Sequence, residues 1–240
     1  MTDEDRYEVP EQSVGDAGHM ALKAVTSMIP VLGGPAAEVF AFIIAPPLEK
    51  RQAEWMKSVA DGLRTLEEKV DSFKIEELPN NESFVTTLLH ATRIALMAHR
   101  EEKRRALRNA VLNAALPNAP DDIQQKIFIE WLDRLTEWHI KILALFASGQ
   151  DIPELRLVNP GWRTLASQQD RLMPLVESTY PEMQGRMSMV FQMVHDLHQW
   201  GLLTNIVPTP RVLPPTDNRP FLSREAKAFL DFIKSPLDDE

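Results

Sequence analysis

The chain has 240 residues, of which 44% are hydrophobic and 25% are charged, fractions typical of a globular protein and too apolar for a disordered one. It contains no cysteine, which excludes disulfides, thiolate catalysis, Cys-ligated zinc and iron–sulfur clusters. The formal net charge of −9 argues against non-specific nucleic-acid binding as the main activity, because contacts to phosphates need a basic surface.

The N-terminal part of the chain combines an acidic tail with a strongly apolar segment. Residues 1–16 lack a basic segment, which predicts a disordered tail rather than a secretory signal. Residues 17–47 contain a Gly-Gly-Pro sequence at 33–35 and end in Pro46 and Pro47, a pattern that predicts an apolar helical hairpin. Its candidate core or membrane side chains are Ile29, Val31, Leu32, Val39, Phe40, Ile43 and Ile44.

Two interpretations of this hairpin stay open. Its uncharged runs fall short of the roughly 20 residues that a membrane-spanning helix needs, and apolar runs of that length most often fill a protein core. The other interpretation is a hairpin that inserts into a membrane after release from the body of the protein.

Three long helices are predicted next, over residues 48–78, 82–116 and 121–148, and together with the hairpin they form a bundle. Asn80 and Asn81 are suitable N-caps for the second, and Asp121 and Asp122 suit the start of the third. The first has a heptad seam of Met56, Val59, Leu63, Leu66, Val70 and Phe73, and the third a seam of Ile127, Trp131, Leu135, Trp138, Ile142 and Leu145.

The second long helix carries the strongest charge feature of the chain. The candidate residues for an anionic partner are Arg93, Arg100, Lys103, Arg104 and Arg108. Three of these arginines are four residues apart and share one helix face. This face could bind a nucleic-acid backbone or lipid headgroups, or it could pair with acids of the first helix such as Glu67, Glu68 and Asp71.

Prolines divide the chain after about residue 150, which predicts a domain boundary there and a second domain over 151–240. A methionine-rich helix is expected to end at Gly201, followed by a strand over 202–207 and a proline-rich loop. A last helix is expected from Arg224 to about Lys234, with Ser223 as its N-cap.

The string VHDLHQWGLL, a loop, and then FLSREAKAFLDFI resemble the end of a winged-helix unit with its small β-hairpin, although Ala226 replaces the usual glycine. The resemblance implies binding to DNA or to protein. Its candidate recognition-helix and wing residues are Gln184, Arg186, Gln192, Arg211 and Arg219. Because this set contains so few cations, a contact with protein is favoured over a contact with DNA.

The strings NESFVTTLLHATRIA, EEKRRALRNAVLNAALP and LDRLTEWHIKILALF are similar to those of uncharacterised bacterial and phage helical proteins of the abortive-infection alpha type. This resemblance implies a phage-defence context and brings no catalytic motif. The chain has no nucleophile elbow, P-loop or dinucleotide fingerprint. His195 and His198 form the one close histidine pair, and His90, His99 and His139 stand alone.

The sequence therefore predicts a mainly α protein: a long-helix bundle with an apolar hairpin, followed by a winged-helix-like α+β unit. We expect a non-enzymatic, cytoplasmic interaction or regulatory protein without a cofactor or metal. Peripheral contact with the inner membrane face is a further expectation. A protein partner or a second copy is the expected partner, and a membrane is a further one. The alternative function is a winged-helix transcription regulator that binds DNA, which the charge disfavours.

Overall fold

The computed structural model describes residues 35–148, 165–203 and 222–237, and within these ranges the chain is mainly α-helical, as predicted. Two compact units, Met1–Arg51 and Gln52–Glu240, divide the chain. The α-helices of the described ranges are α1 (Pro35–Lys69), α2 (Glu82–Met97), α3 (Glu101–Ala115), α4 (Asp122–Arg134), α5 (Glu137–Ala147), α6 (Leu165–Thr179), α7 (Met187–Gln199) and α8 (Arg224–Ile233). Short 3₁₀ helices cover Ile75–Asn80 and Pro181–Met183.

Helix α3 lies at the centre of the second unit, where it packs against α2, α4 and α8. Side chains on several sides of α3 are fully buried, namely those of Leu107, Ala110, Val111, Leu112 and Ala114. Helix α1 also approaches it closely, because a Cβ added at Gly62 would lie only 2.8 Å from Cδ1 of Leu112. The small residues Gly62, Ala110 and Ala114 let the helices approach one another without leaving voids.

The prediction of one helix over 82–116 is wrong. The helix stops at Met97, and α3 starts at Glu101 after a three-residue connection in which Ala98 is extended. A single straight helix would hold its two apolar halves apart, whereas the break lets α2 and α3 pack on each other. Burial of Ala91 and Ala95 on α2 and of Ala110 on α3 follows from this arrangement. The predicted cap is confirmed: the Asn81 side chain accepts a hydrogen bond from the Phe84 N–H.

The prediction of one helix over 121–148 is also wrong. Helix α4 ends at Arg134, and α5 begins at Glu137 with Thr136 as its N-cap. The Thr136 side chain accepts from the His139 N–H, and the His139 side chain accepts from the Thr136 N–H, a reciprocal capping box. The predicted helix start at Asp121 and Asp122 is confirmed, and Asp121 is the N-cap, since its side chain accepts from the Gln124 N–H.

The apolar segment and the first long helix differ from the prediction as well. Helix α1 continues through Pro46 and Pro47 and ends at Lys69, so the second hairpin arm and the heptad helix are one continuous helix and not two. Proline has a helical φ, and its cost is the lost N–H bond to the preceding turn. Residues 70–74 then form a turn that buries Phe73, and Pro79 lies in the following 3₁₀ helix. The first arm of the predicted hairpin and the acidic tail lie outside the described residues.

The C-terminal region contains the predicted helices but little β structure. Helix α7 ends before Gly201, whose φ of 72° lies in the left-handed region that favours glycine. A single antiparallel bridge joins Leu203 to Leu222, and the described ranges contain no β-ladder of greater length. The predicted β-hairpin and winged-helix unit are therefore not supported. Residues 204–221, which contain Arg211 and Arg219, lie outside these ranges.

Helices from both sides of the predicted boundary near residue 150 share one core. Helix α7 packs on α5, and α8 packs on α3. Asn109 and Asn113 of α3 hold the C-terminus of α8: the Asn109 amide donates to the Ile233 carbonyl at 3.0 Å, and the Asn113 amide to the carbonyls of Phe232 and Lys234. The boundary itself falls in residues 149–164, outside the described ranges.

An aromatic cluster completes the packing of α8. The Phe128 ring on α4 lies 5.8 Å from that of Phe229 and 5.5 Å from that of Phe232, and it stacks on Trp131. Edge-to-face and stacked pairs of this kind add to the free energy of burial. The cluster therefore joins the last helix to the bundle.

We expect Phe128→Ala to lower the free energy of unfolding by about 3–5 kcal/mol, because it removes a buried ring at the junction of α4 and α8. Urea denaturation measures this change. The matched control is Ile127→Ala, the neighbouring position, whose side chain is exposed and which should change stability by about 0.5 kcal/mol or less. Equal effects of the two substitutions would contradict the described packing.

Candidate functional site

The predicted basic face is paired with acidic side chains of the same chain. Arg93 lies 2.9 Å from the Asp133 carboxylate, and Arg100 lies 3.5 Å from that of Glu137. Arg104 contacts Glu101 in its own helix and, at 3.9 Å, Glu54 of α1. These acids differ from Glu67, Glu68 and Asp71, the partners considered from the sequence.

The other two cations of this face bind backbone carbonyls. The Lys103 ammonium donates to the carbonyls of Asp133 and Leu135, both at 2.9 Å, at the C-terminus of α4. Burial lowers the pKa of Lys103, against the opposing effects of nearby Asp133 and Glu137. Arg108 donates to the Ser58 carbonyl at 2.9 Å. All five side chains of the predicted face thus contact acceptors of the bundle itself, which gives them a structural role.

The apolar residues of the predicted hairpin are only partly described. Val39, Phe40, Ile43 and Ile44 lie in α1, and the Ile43 side chain is 59% exposed. Ile29, Val31 and Leu32 lie outside the described residues. Among the helices that the structure describes, none is both long and apolar enough to cross a bilayer.

The predicted recognition helix corresponds to α7, which has one buried and one exposed face. Val190, Met193, Val194 and Leu197 are buried. The exposed side chains of the helix are those of Met187, Ser188, Met189, Gln192, His195 and Gln199. None of these is acidic, and none is lysine or arginine. Gln184 and Arg186 are exposed just before the helix begins.

Helix α7 is held to α5 by a polar contact that the sequence did not reveal. The Nε2 atom of His139 lies 3.5 Å from Asp196 Oδ2, and Asp196 Oδ1 accepts a hydrogen bond from Gln192 at 2.7 Å. Because Nδ1 of His139 accepts the Thr136 N–H, the neutral ring carries its proton on Nε2, facing Asp196. The ring also packs on Trp200, with 5.7 Å between centroids.

This arrangement of hydroxyl, imidazole and carboxylate serves as a helix cap and a joint between helices. The His139 side chain is nearly buried, and burial lowers its pKa, against the opposing effect of Asp196. His139 was expected to stand alone on a helix. The spacing Thr-x-x-His at 136–139, a variant of the capping-box pattern, was the signal in the sequence that could have placed it.

The histidine pair of α7 does not form a metal centre in the described structure. His198 lies 3.0 Å from the Leu203 carbonyl through Nδ1, and His195 is exposed. Within the ranges that the structure describes, no three His, Asp or Glu side chains are placed to hold a metal ion.

Two open cavities lie near the N-termini of α2 and α4. The larger, of about 690 Å³, includes Lys74, Glu77 and Asp121 in its lining, and the smaller, of about 410 Å³, includes His90 and Lys126. Both have mixed polar and apolar walls, and neither groups residues in a pattern that indicates a reaction.

The chain matches no protein-family model, and no curated protein or solved structure is significantly similar to it. Its function is therefore inferred from its own residues.

We expect acidification to destabilise the protein through His139. Its folded pKa lies below the ordinary value of 6.5, so the unfolded chain binds the proton more readily, and stability falls as the pH drops below about 6.5. His139→Gln, which can still cap the helix at this position, should show a shallower loss of stability between about pH 7 and 5. Urea denaturation at a series of pH values measures this slope.

The control is His90→Gln, at an exposed position of α2 that makes none of these contacts, and it should keep the wild-type slope. If the wild type and His139→Gln lose stability in parallel on acidification, burial of a neutral imidazole contributes nothing to the pH dependence.

Proposed function

We propose that the protein is a non-enzymatic interaction module that binds a protein partner on the exposed face of α7. This uncharged face consists of Met187, Ser188, Met189, Gln192, His195 and Gln199. The observation that carries the proposal is that these six exposed side chains include no Asp, Glu, Lys or Arg, in a chain of which 25% of the residues are charged. The partly exposed Asp196 beside them is engaged by Gln192 and His139.

The composition of the uncharged face is that of a protein interface. The cores of protein interfaces are depleted in charged residues and enriched in methionine, and methionine side chains adapt to the shape of a partner. Met187 and Met189 are 41% and 45% exposed on this face. The exposed face of α4 offers a contrast, since its exposed Ile123 and Ile127 lie among Lys126, Glu130 and Arg134.

The uncharged face is also held in place before any partner binds. Buried side chains of α7 pack on the core, and the contact from His139 to Asp196 joins α7 to the N-terminus of α5. A rigid helix loses little conformational entropy on association, which favours binding.

Site-specific photo-crosslinking tests this proposal. A benzophenone amino acid replaces His195 on the uncharged face or, as a control, Gln124 on the exposed surface of α4, and the protein is expressed at its natural level in its host. We expect irradiation to give a protein adduct at position 195 that is several times more abundant than any adduct at 124. Equal yields at both positions would overturn the proposal.

A nucleic-acid adduct at position 195 would also overturn it, in favour of a winged-helix regulator. Two observations support that alternative: the bridge between Leu203 and Leu222 directly follows α7, and the Ser223 N–H donates to the Leu202 carbonyl at 3.1 Å. The exposed face of α7 offers no cation for phosphates, whose neutralisation supplies most non-specific affinity for DNA. A protein contact is therefore favoured.

A second candidate function is attachment to a membrane through the apolar half of α1. The observation that favours it is the exposed Ile43 side chain, in a stretch from Val39 to Leu48 that contains no charged residue. A helix with exposed apolar side chains can lie in the interface of a bilayer without spanning it. The phage-defence context, which the resemblance to abortive-infection alpha proteins implies, also stays a prediction.

Flotation with anionic liposomes tests the membrane candidate. We expect co-flotation of the full-length protein that persists at physiological salt, because insertion of apolar side chains is not screened, and its loss in Ile43→Asp. The control Leu89→Asp, at another exposed apolar position, should still float. Flotation that disappears with salt in the wild type would contradict insertion and point to a purely electrostatic contact.

A further inference from the structure

The uncharged face of α7 carries two side chains that an oxidant can modify. Met187 and Met189 are 41% and 45% exposed on this face. We infer that oxidation of these two thioethers to sulfoxides is a reversible modification that weakens partner binding at the face. The inference rests on the proposed function, because it names a regulation of the same site.

The methionines of the described ranges fall into an exposed and a buried group. The exposed ones are Met56, Met97, Met187 and Met189. The buried ones, each at most 4% exposed, are Met173, Met183 and Met193. Oxidation follows solvent access, because the oxidant must reach the sulfur atom. A mild oxidant therefore modifies the exposed group, while the core protects the buried one.

The absence of cysteine leaves methionine as the only sulfur-containing residue of the chain. In other proteins, accessible thiolates compete for peroxide. Here the thioether lone pair attacks one oxygen of hydrogen peroxide, the O–O bond breaks, and a sulfoxide and one molecule of water form. The sulfur loses two electrons, and the peroxide gains them.

A sulfoxide changes what the uncharged face can bind. Methionine is apolar and adapts to the surface of a partner, whereas its sulfoxide is polar and accepts hydrogen bonds. Burying the sulfoxide oxygen in an interface that offers it no donor lowers the affinity. The fold of the free protein tolerates the change, because the modified side chains are in contact with water and the buried Val190, Met193 and Val194 hold α7 on the core.

Peptide mass spectrometry after treatment with hydrogen peroxide tests the site of modification. We expect Met187 and Met189 to oxidise about tenfold faster than the buried Met183 and Met193 of the same region, or by an even larger factor. The far-UV circular dichroism spectrum should stay unchanged, since the core is not modified. Equal rates for the exposed and the buried pair would overturn the inference.

Photo-crosslinking tests the effect on binding. The purified protein with benzophenone at position 195 is treated with peroxide, catalase destroys the excess, and the protein is added to an untreated extract of its host. We expect several times less adduct than without peroxide, and recovery of the yield after incubation with methionine sulfoxide reductases and dithiothreitol. An undiminished yield, or a loss that the reductases do not reverse, would overturn the inference.

Two double variants assign the effect to the uncharged face. The variant with Met187→Leu and Met189→Leu keeps apolar side chains that peroxide does not oxidise, so its adduct yield should be equal before and after treatment. The matched control combines Met56→Leu with Met97→Leu, which removes two exposed thioethers from α1 and α2, and it should stay as sensitive as the wild type. Loss of the adduct in the first variant would overturn the inference.

The failures of the two proposals are distinguishable in the crosslinking experiment. Untreated protein that gives no more adduct at position 195 than at position 124 would overturn the proposed function and the inference with it. An adduct specific to position 195 that peroxide does not diminish would overturn the inference alone.

Discussion

Helix α3 is enclosed by its neighbours, and the arrangement of the other helices in the second unit depends on its burial. Its alanines and leucines pack against α2, α4 and α8, and Gly62 lets α1 approach Leu112. A helix buried on several sides needs an apolar helix packed closely against each of those sides. The breaks at Ala98 and Thr136 supply such neighbours, because each turns one long apolar segment into two helices that pack within the same core.

The charged residues around α3 contribute mainly to this packing. Lys103 binds the last carbonyls of α4, Arg108 binds a carbonyl of α1, and Arg93 and Arg100 pair with acids on α4 and α5. A cluster that looks like a binding face in sequence is thus engaged within the bundle. The uncharged face of α7 is the opposite case, since its exposed polar side chains carry no formal charge. This difference is why we place the interaction site on α7.

Local signals in the sequence were reliable where one short-range interaction decides the structure. The caps at Asn81 and Ser223, the helix start at Asp121 and the end of α7 before Gly201 were predicted, because a side chain or a φ value fixes each of these helix ends locally. The seams were less reliable. Ile127 is exposed while Phe128 is buried, and Met56 is exposed while Trp55 is buried, since a break or a small rotation shifts which residues face the core.

The sequence by itself determined the helical class, the helix caps at Asn81 and Ser223, and the apolar and basic segments, because these depend on composition and on residues within one helical turn. Only the tertiary structure decided where the long helices break, which partners the basic residues bind and which face of α7 stays exposed. Those outcomes depend on contacts between residues far apart in the chain, such as His139 with Asp196 and Asn109 with Ile233. No local pattern encodes such pairs, because several chain paths would satisfy the same periodicity until the core is packed.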